Sequence, residues 1–243
     1  MWCRNRNASL LYNPKALLIF RRFIEFIVFS NIWIAFLAAG LTFNTYIINQ
    51  LPIRIDVCIL VFLATFSIYN LQRLVKHFFK KNNYSKRHLW IYKNINILSI
   101  FVLLSSLGSV FLFFTLFSIQ DFLFLLPFSL VSGLYAVSLF SNQRALRDLP
   151  FLKIFLISIT WAVTTVIIPF LQTELTFSTS IIGQFIFTFL FIIAITIPFD
   201  IRDIDLDDQK TKTLPQVLGA KKAIYASYML LVFAGLINYY TFF

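Results

Sequence analysis

SIIGQFIFTFLFIIAITIPF, Ser180 to Phe199, is a run of twenty residues without a charge, and DIRDIDLDDQ, Asp200 to Gln209, follows it directly. A helix needs roughly 20 apolar residues to cross a bilayer, so the first string reads as a membrane span. The second string holds Asp200, Asp203, Asp205, Asp207 and Asp208, half of the chain's 10 acidic residues. The other acids, Glu25, Asp56, Asp121, Asp148 and Glu174, stand singly along the chain. Carboxylates packed this closely repel one another unless a cation holds them. The junction of span and acidic patch is where chemistry is expected.

Six further stretches have the same character, at about 23–43, 53–72, 95–118, 122–140, 151–171 and 223–243. The composition agrees, with 59% hydrophobic residues, 13% charged residues and a mean hydropathy of +0.82. These values lie far from those of a soluble domain. The expected fold is all-α: a polytopic membrane bundle of about seven transmembrane helices, filling residues 23–243 after a basic amino-terminal segment, 1–22. The first apolar run is too long for a signal-peptide core and reads as a retained helix.

A net charge of +11 could suggest nucleic acid, but its distribution points to a bilayer. With seven spans, every Lys and Arg except Arg54 falls on one side, in the amino-terminal segment and in the loops after spans two, four and six. Positive-inside bias then places the amino terminus and these loops in the cytoplasm. The partners expected are a lipid bilayer and small molecules, with no nucleic acid. Cys3 and Cys58 lie on opposite sides of such a membrane, so no disulfide between them is expected.

Asp200, Asp203 and Asp207 fall at i, i+3 and i+7, which on a helix gives one carboxylate stripe within about 60°. Pro198 just before them is expected to break or kink the membrane helix. Hard oxygen donors without Cys or His suit Mg²⁺ or Ca²⁺, and Mg²⁺ is commonly shared between one or two carboxylates and substrate phosphates. The alternative is a solvated loop paired with Arg202, Lys210 and Lys212. Glu25 follows Arg21 by four residues and reads as a helical ion pair. His77 and His88 read as solvated. The 31 Phe residues read as lipid-facing and helix-packing side chains, some of which could line a cavity.

DIRDIDLDDQKTKTLPQVLG, Asp200 to Gly219, resembles the second aspartate-rich motif of the UbiA superfamily of intramembrane prenyltransferases. Asp200, Asp203 and Asp207 match its three acids, and Lys212, Thr213, Leu214, Pro215, Leu218 and Gly219 match its tail. The resemblance implies a Mg²⁺-dependent enzyme that binds an allylic prenyl diphosphate, ionises it, and passes the isoprenoid group to an aromatic or lipid acceptor. It implies Asp200, Asp203 and Asp207 as catalytic metal ligands. The family's first aspartate-rich motif corresponds to YNLQRLVKHF, Tyr69 to Phe78, where Asn70 matches but the acids align with Leu71, Leu74 and Phe78. Arg73 and Lys76 are therefore expected to take over diphosphate binding with Asn70, Lys153 and Lys212, together with Tyr135, which resembles a family tyrosine. The family has nine helices, so the chain is expected to lack the last two.

The competing readings are a catalytically degenerate relative that binds prenyl lipid without turnover, and a cation transporter using the Asp stripe. Transport favours ionisable groups at mid-bilayer, whereas these cluster at helix ends. A retinal protein is disfavoured because the last span lacks a lysine within the bilayer.

Overall fold

The computed structural model describes residues 14–79, 86–137, 152–173, 178–204 and 213–242. Among these the chain is helical and without strands. Its elements are α1 (Pro14–Phe29), α2 (Ile32–Ile48), α3 (Ile55–Phe79), α4 (Lys86–Lys93), α5 (Ile95–Leu116) and α6 (Ile119–Val137). After these come α7 (Leu152–Ala162), a π segment (Val163–Ile167), α8 (Ile168–Leu171), α9 (Thr179–Arg202), α10 (Leu214–Leu218) and α11 (Ala220–Phe242).

Among the described residues, five helices are long and apolar enough to cross a membrane, and six if the α1–α2 pair counts as one span. They mark the chain as a multi-pass integral membrane protein. The remaining expected span corresponds to α6, of which the apolar stretch Ile119–Leu130 falls within the described residues. The first expected span also differs: it is divided between α1 and α2, which meet at a 62° bend. Asn31 makes the bend, with φ 59° in the left-handed region that asparagine tolerates better than most residues. Side chains of α3 secure it. The Asn70 amide donates to Ser30 O (2.8 Å) and Phe66 O (2.8 Å) and accepts from Asn31 Nδ2 (3.2 Å). Arg73 Nη1 donates to Phe29 O at 2.7 Å, meeting a carbonyl that the end of α1 leaves without a helical partner.

Helix α9 packs between α7 and α11, α2 between α3 and the π segment, and α5 covers α3 from outside. Near one end, Tyr46, Leu51, Val57, Phe170 and Ile181 form a core that joins the starts of α3 and α9. At the other, Ile154, Ile193, Ile197 and Ala223 clamp α7, α9 and α11. Outward-facing apolar side chains are abundant; Phe111 and Phe114 on α5 are 67% and 73% exposed. In water such a surface would be untenable, and in hydrocarbon it is the ordinary contact face.

Pro198 and Pro169 are absorbed with help from hydroxyls on neighbouring helices. Pro198 was expected to break or kink its helix, yet α9 continues to Arg202. A proline has no N–H for the carbonyl four residues back. Here that carbonyl is Ala194 O, and Ser227 Oγ on α11 donates to it at 2.7 Å. Pro169 of α8 likewise leaves Thr165 O without a helical donor, and Thr45 Oγ1 on α2 supplies one at 2.7 Å. The intervening turn widens to a π segment, in which Ile168 N bonds Val163 O.

Candidate functional site at the end of α9

Asp200 lies in the last turn of α9, with a side chain only 6% exposed. Lys153, in the first turn of α7, donates from Nζ to Asp200 Oδ1 at 2.8 Å. Both charges sit at the wrong pole of their own helix: an anion at a carboxyl end and a cation at an amino end are each disfavoured by the helix dipole. Antiparallel packing of α7 on α9 brings the two misplaced charges together, and each offsets the other.

Asp203 is the residue at which α9 ends, with φ −96° and ψ 9°. Its two carboxylate oxygens accept from Arg202 Nε (2.7 Å) and Nη2 (2.8 Å). The guanidinium also lies over the Phe199 ring, 5.4 Å from its centroid. Helix α9 ends at Arg202, so among the described residues the expected helical stripe is not continued beyond Asp203. Repulsion between the clustered acids and the negative end of α9 opposes further helix. Asp207 and Lys212 lie outside the described residues, as do Asp205 and Asp208.

Beyond the patch, the T-L-P string returns to the bundle. Thr213 N–H donates to Gln216 Oε1 at 2.8 Å at the start of α10, and Leu214 packs beside Ile154 and Ile197. Pro215 takes the helix-start position where its missing N–H costs nothing. Gly219, at φ 79°, turns the chain into α11, a conformation that side chains rarely adopt. Packed helix thus stands on either side of the acidic patch along the chain, α9 before it and α10 after it.

Deeper, Trp161 Nε1 on α7 donates to Tyr69 OH on α3 at 3.1 Å. This bond ties α3 to the wall that carries Lys153. No spacing rule pairs a tyrosine with a tryptophan 92 positions later, so the sequence carried no signal for it.

Of the expected site residues, the structure brings Lys153 and Asp200 into contact. Asn70 is wholly enclosed and its amide is engaged at the α1–α2 bend, as is the half-buried Arg73. Of the positions aligned with the missing acids, Leu74 is buried and Leu71 exposed, and the side chain of Phe78 lies outside the described residues. The side chains of Lys76 and Tyr135 lie outside the described residues. Arg21 and Glu25 form the expected pair, 3.0 Å apart and exposed.

Carboxylate oxygens alone make up the acidic donor set, which in chemistry fits a hard divalent cation. No group of three or more His, Cys, Asp or Glu poised for a metal occurs among the described residues. Asp200 and Asp203 each already face a cationic side chain. The chain matches no protein-family model, no curated protein and no solved structure.

Proposed function

We propose that the chain is a UbiA-like, Mg²⁺-dependent intramembrane prenyltransferase, passing an isoprenoid group from an allylic prenyl diphosphate to an aromatic or lipid acceptor. In this reading seven spans cross a cytoplasmic or inner membrane, and the amino terminus and acidic loop face the cytoplasm. The observation that carries it is the Lys153–Asp200 pair at a helix mouth, its carboxylate buried, its lysine one-third exposed, and both charges set against their helix dipoles. Two ill-placed charges cost stability that a solvated loop would have no reason to give up. The order of residues from Asp200 to Gly219 supports the same reading.

Asp200, Asp203 and Asp207 would hold the Mg²⁺. The ion would stabilise the negative charge on the departing diphosphate. Lys153, released from Asp200, would turn its ammonium to a phosphate oxygen, a point charge on a flexible stem. Lys76 and Lys212 would add charge from the flanking loops. Apolar helix faces would hold the prenyl chain and keep water from the reacting carbon.

A specific observation favours a second reading, a degenerate relative that binds prenyl lipid without turnover. Asn70 and Arg73, where the first motif would lie, hold a helix bend together through backbone carbonyls. One experiment separates the readings. Purified protein is titrated with a long-chain allylic diphosphate with and without Mg²⁺, and prenyl transfer to a phenolic acceptor is followed. The enzyme reading expects transfer, and Mg²⁺-dependent binding that weakens about tenfold or more in Asp200→Asn, the scale of one charge-assisted contact. Binding indifferent to both Mg²⁺ and the mutation would remove the metal assignment. Mg²⁺-dependent binding with no transfer would leave the degenerate reading.

A further inference from the structure

The 62° bend at Asn31 sets α1 at a steep angle to α2. Its stretch Leu18–Phe29 is about 18 Å long but advances only about 8 Å along the α2 axis. Helix α2, with 17 residues, is about 26 Å long and by itself nearly matches the hydrocarbon thickness of about 30 Å. Helix α1 is therefore surplus to that crossing. The bend is not a loose joint: Asn70, which holds Ser30 O, is wholly buried, and Arg73 holds Phe29 O.

Along α1 the residue types divide into two faces. Phe20, Phe23, Ile24 and Ile27 fall in one arc of about 100°, and Arg21, Arg22 and Glu25 in a second arc centred about 160° away. A helix docked on a protein core turns its apolar face inward. Here Phe20 and Phe23 are 60% and 59% exposed, while Arg21 and Arg22 are exposed on the other face. The last turns tie α1 to the bundle, where Phe26 and Phe29 meet Trp90 of α4 edge-on at 6.0 and 5.9 Å. Both faces are thus largely open at once. Water would penalise the first and hydrocarbon the second, and a boundary between the two satisfies both.

Charge says which boundary. Residues 1–29 carry Arg4, Arg6, Lys15, Arg21 and Arg22 against a single acid, Glu25, which Arg21 meets at 3.0 Å. The neighbouring α4 holds no acid and ends on Lys93, which is exposed. Such a surface complements negative headgroups. We propose that α1 is an in-plane membrane anchor: its Phe20 and Phe23 face enters the headgroup–acyl boundary to a depth of about 5–10 Å, and Arg21, Arg22 and Lys93 gather anionic phospholipids around it. The inference rests on membrane residence and is independent of the prenyltransferase reading.

The test uses the full chain, with Cys3 and Cys58 replaced, in nanodiscs of equal parts phosphatidylcholine and phosphatidylglycerol. A bimane fluorophore is attached at Phe23→Cys or, separately, at Arg22→Cys. Quenchers are aqueous iodide and lipids bearing a nitroxide either high on the acyl chain or near its end. The high nitroxide should quench the Phe23 probe most, and iodide the Arg22 probe. Stronger quenching at Phe23 by the chain-end nitroxide would make α1 part of a span. Indifference there to both nitroxides would mean that a second copy or another protein covers the face. Either result overturns the proposal. With bimane at Phe23, the high nitroxide should quench more strongly on phosphatidylglycerol than on phosphatidylcholine. Arg22→Gln, an exposed substitution, should lower that preference about fivefold, the effect of one basic side chain at an anionic surface. High salt should weaken it without moving the probe depth. Equal quenching on the two headgroups, or a preference that Arg22→Gln leaves undiminished, would overturn the anionic-lipid assignment.

Discussion

Lys153 and Asp200 show what one buried pair demands of its neighbours. Removing the lysine alone leaves a carboxylate with a 6% exposed side chain facing the negative end of its own helix. Lys153→Met should therefore destabilise the chain by about 3 kcal/mol, near the lower end for an orphaned buried charge. Lys153→Met with Asp200→Asn should regain much of that loss, because no charge is left to desolvate. Denaturant unfolding in mixed micelles measures both, and equal losses in single and double variants would show that the pair is not coupled. At this scale the sequence was informative about residue type and uninformative about partners. It marked both residues as candidates, but their pairing depends on which helix packs beside α9. Asn70 and Arg73 show the converse. Their sequence context suggested phosphate binding, whereas the structure shows them satisfying carbonyls at the α1–α2 bend.

Helices in this bundle are joined where prolines free a carbonyl. The Ala194 carbonyl opposite Pro198 and the Thr165 carbonyl opposite Pro169 each take a hydroxyl from a neighbouring helix. Interhelical hydrogen bonds in membranes average about 0.6 kcal/mol and reach about 1.7 kcal/mol. Ser227→Ala should fall towards the upper figure, since Ala194 O then has no donor. Adding Pro198→Ala restores a backbone N–H four residues on, so the double variant should recover stability that Ser227→Ala lost. A double-mutant cycle by reversible unfolding reads this coupling directly; strict additivity would argue against it. Pro198 alone therefore could not foretell whether α9 breaks. The answer lies in Ser227, a residue with no local reason to be noticed. The bend at Asn31 was hidden for a related reason, because hydropathy continues through it and the left-handed φ leaves no trace in apolar content.

Across the whole molecule, the described basic side chains gather at the Asp200 end of the bundle, on α1, α4, α7 and the start of α11, while Arg54 stands at the end near the α9 start. Arg54 is paired with Asp56 at 2.7 Å, and that hydrogen-bonded carboxylate holds the guanidinium above its ordinary proton affinity. Single cysteines placed in a background lacking Cys3 and Cys58 should separate the two faces. Gln50→Cys and Ser178→Cys should react with an impermeant maleimide in intact cells, and Lys93→Cys and Lys221→Cys only after permeabilisation. Reaction of all four from one side would break the proposed topology.

Membrane residence and all-helical structure were legible from order and composition. They follow from the cost of burying charge and open backbone in hydrocarbon, and each residue contributes to that cost wherever its neighbours lie. The Lys153–Asp200 contact, the two hydroxyls that absorb prolines and the bend under Asn70 needed the fold. Each joins residues far apart in the chain through hydrogen bonds of about 3 Å, and a tolerance that narrow is set by which helices pack together rather than by the pattern along any one of them.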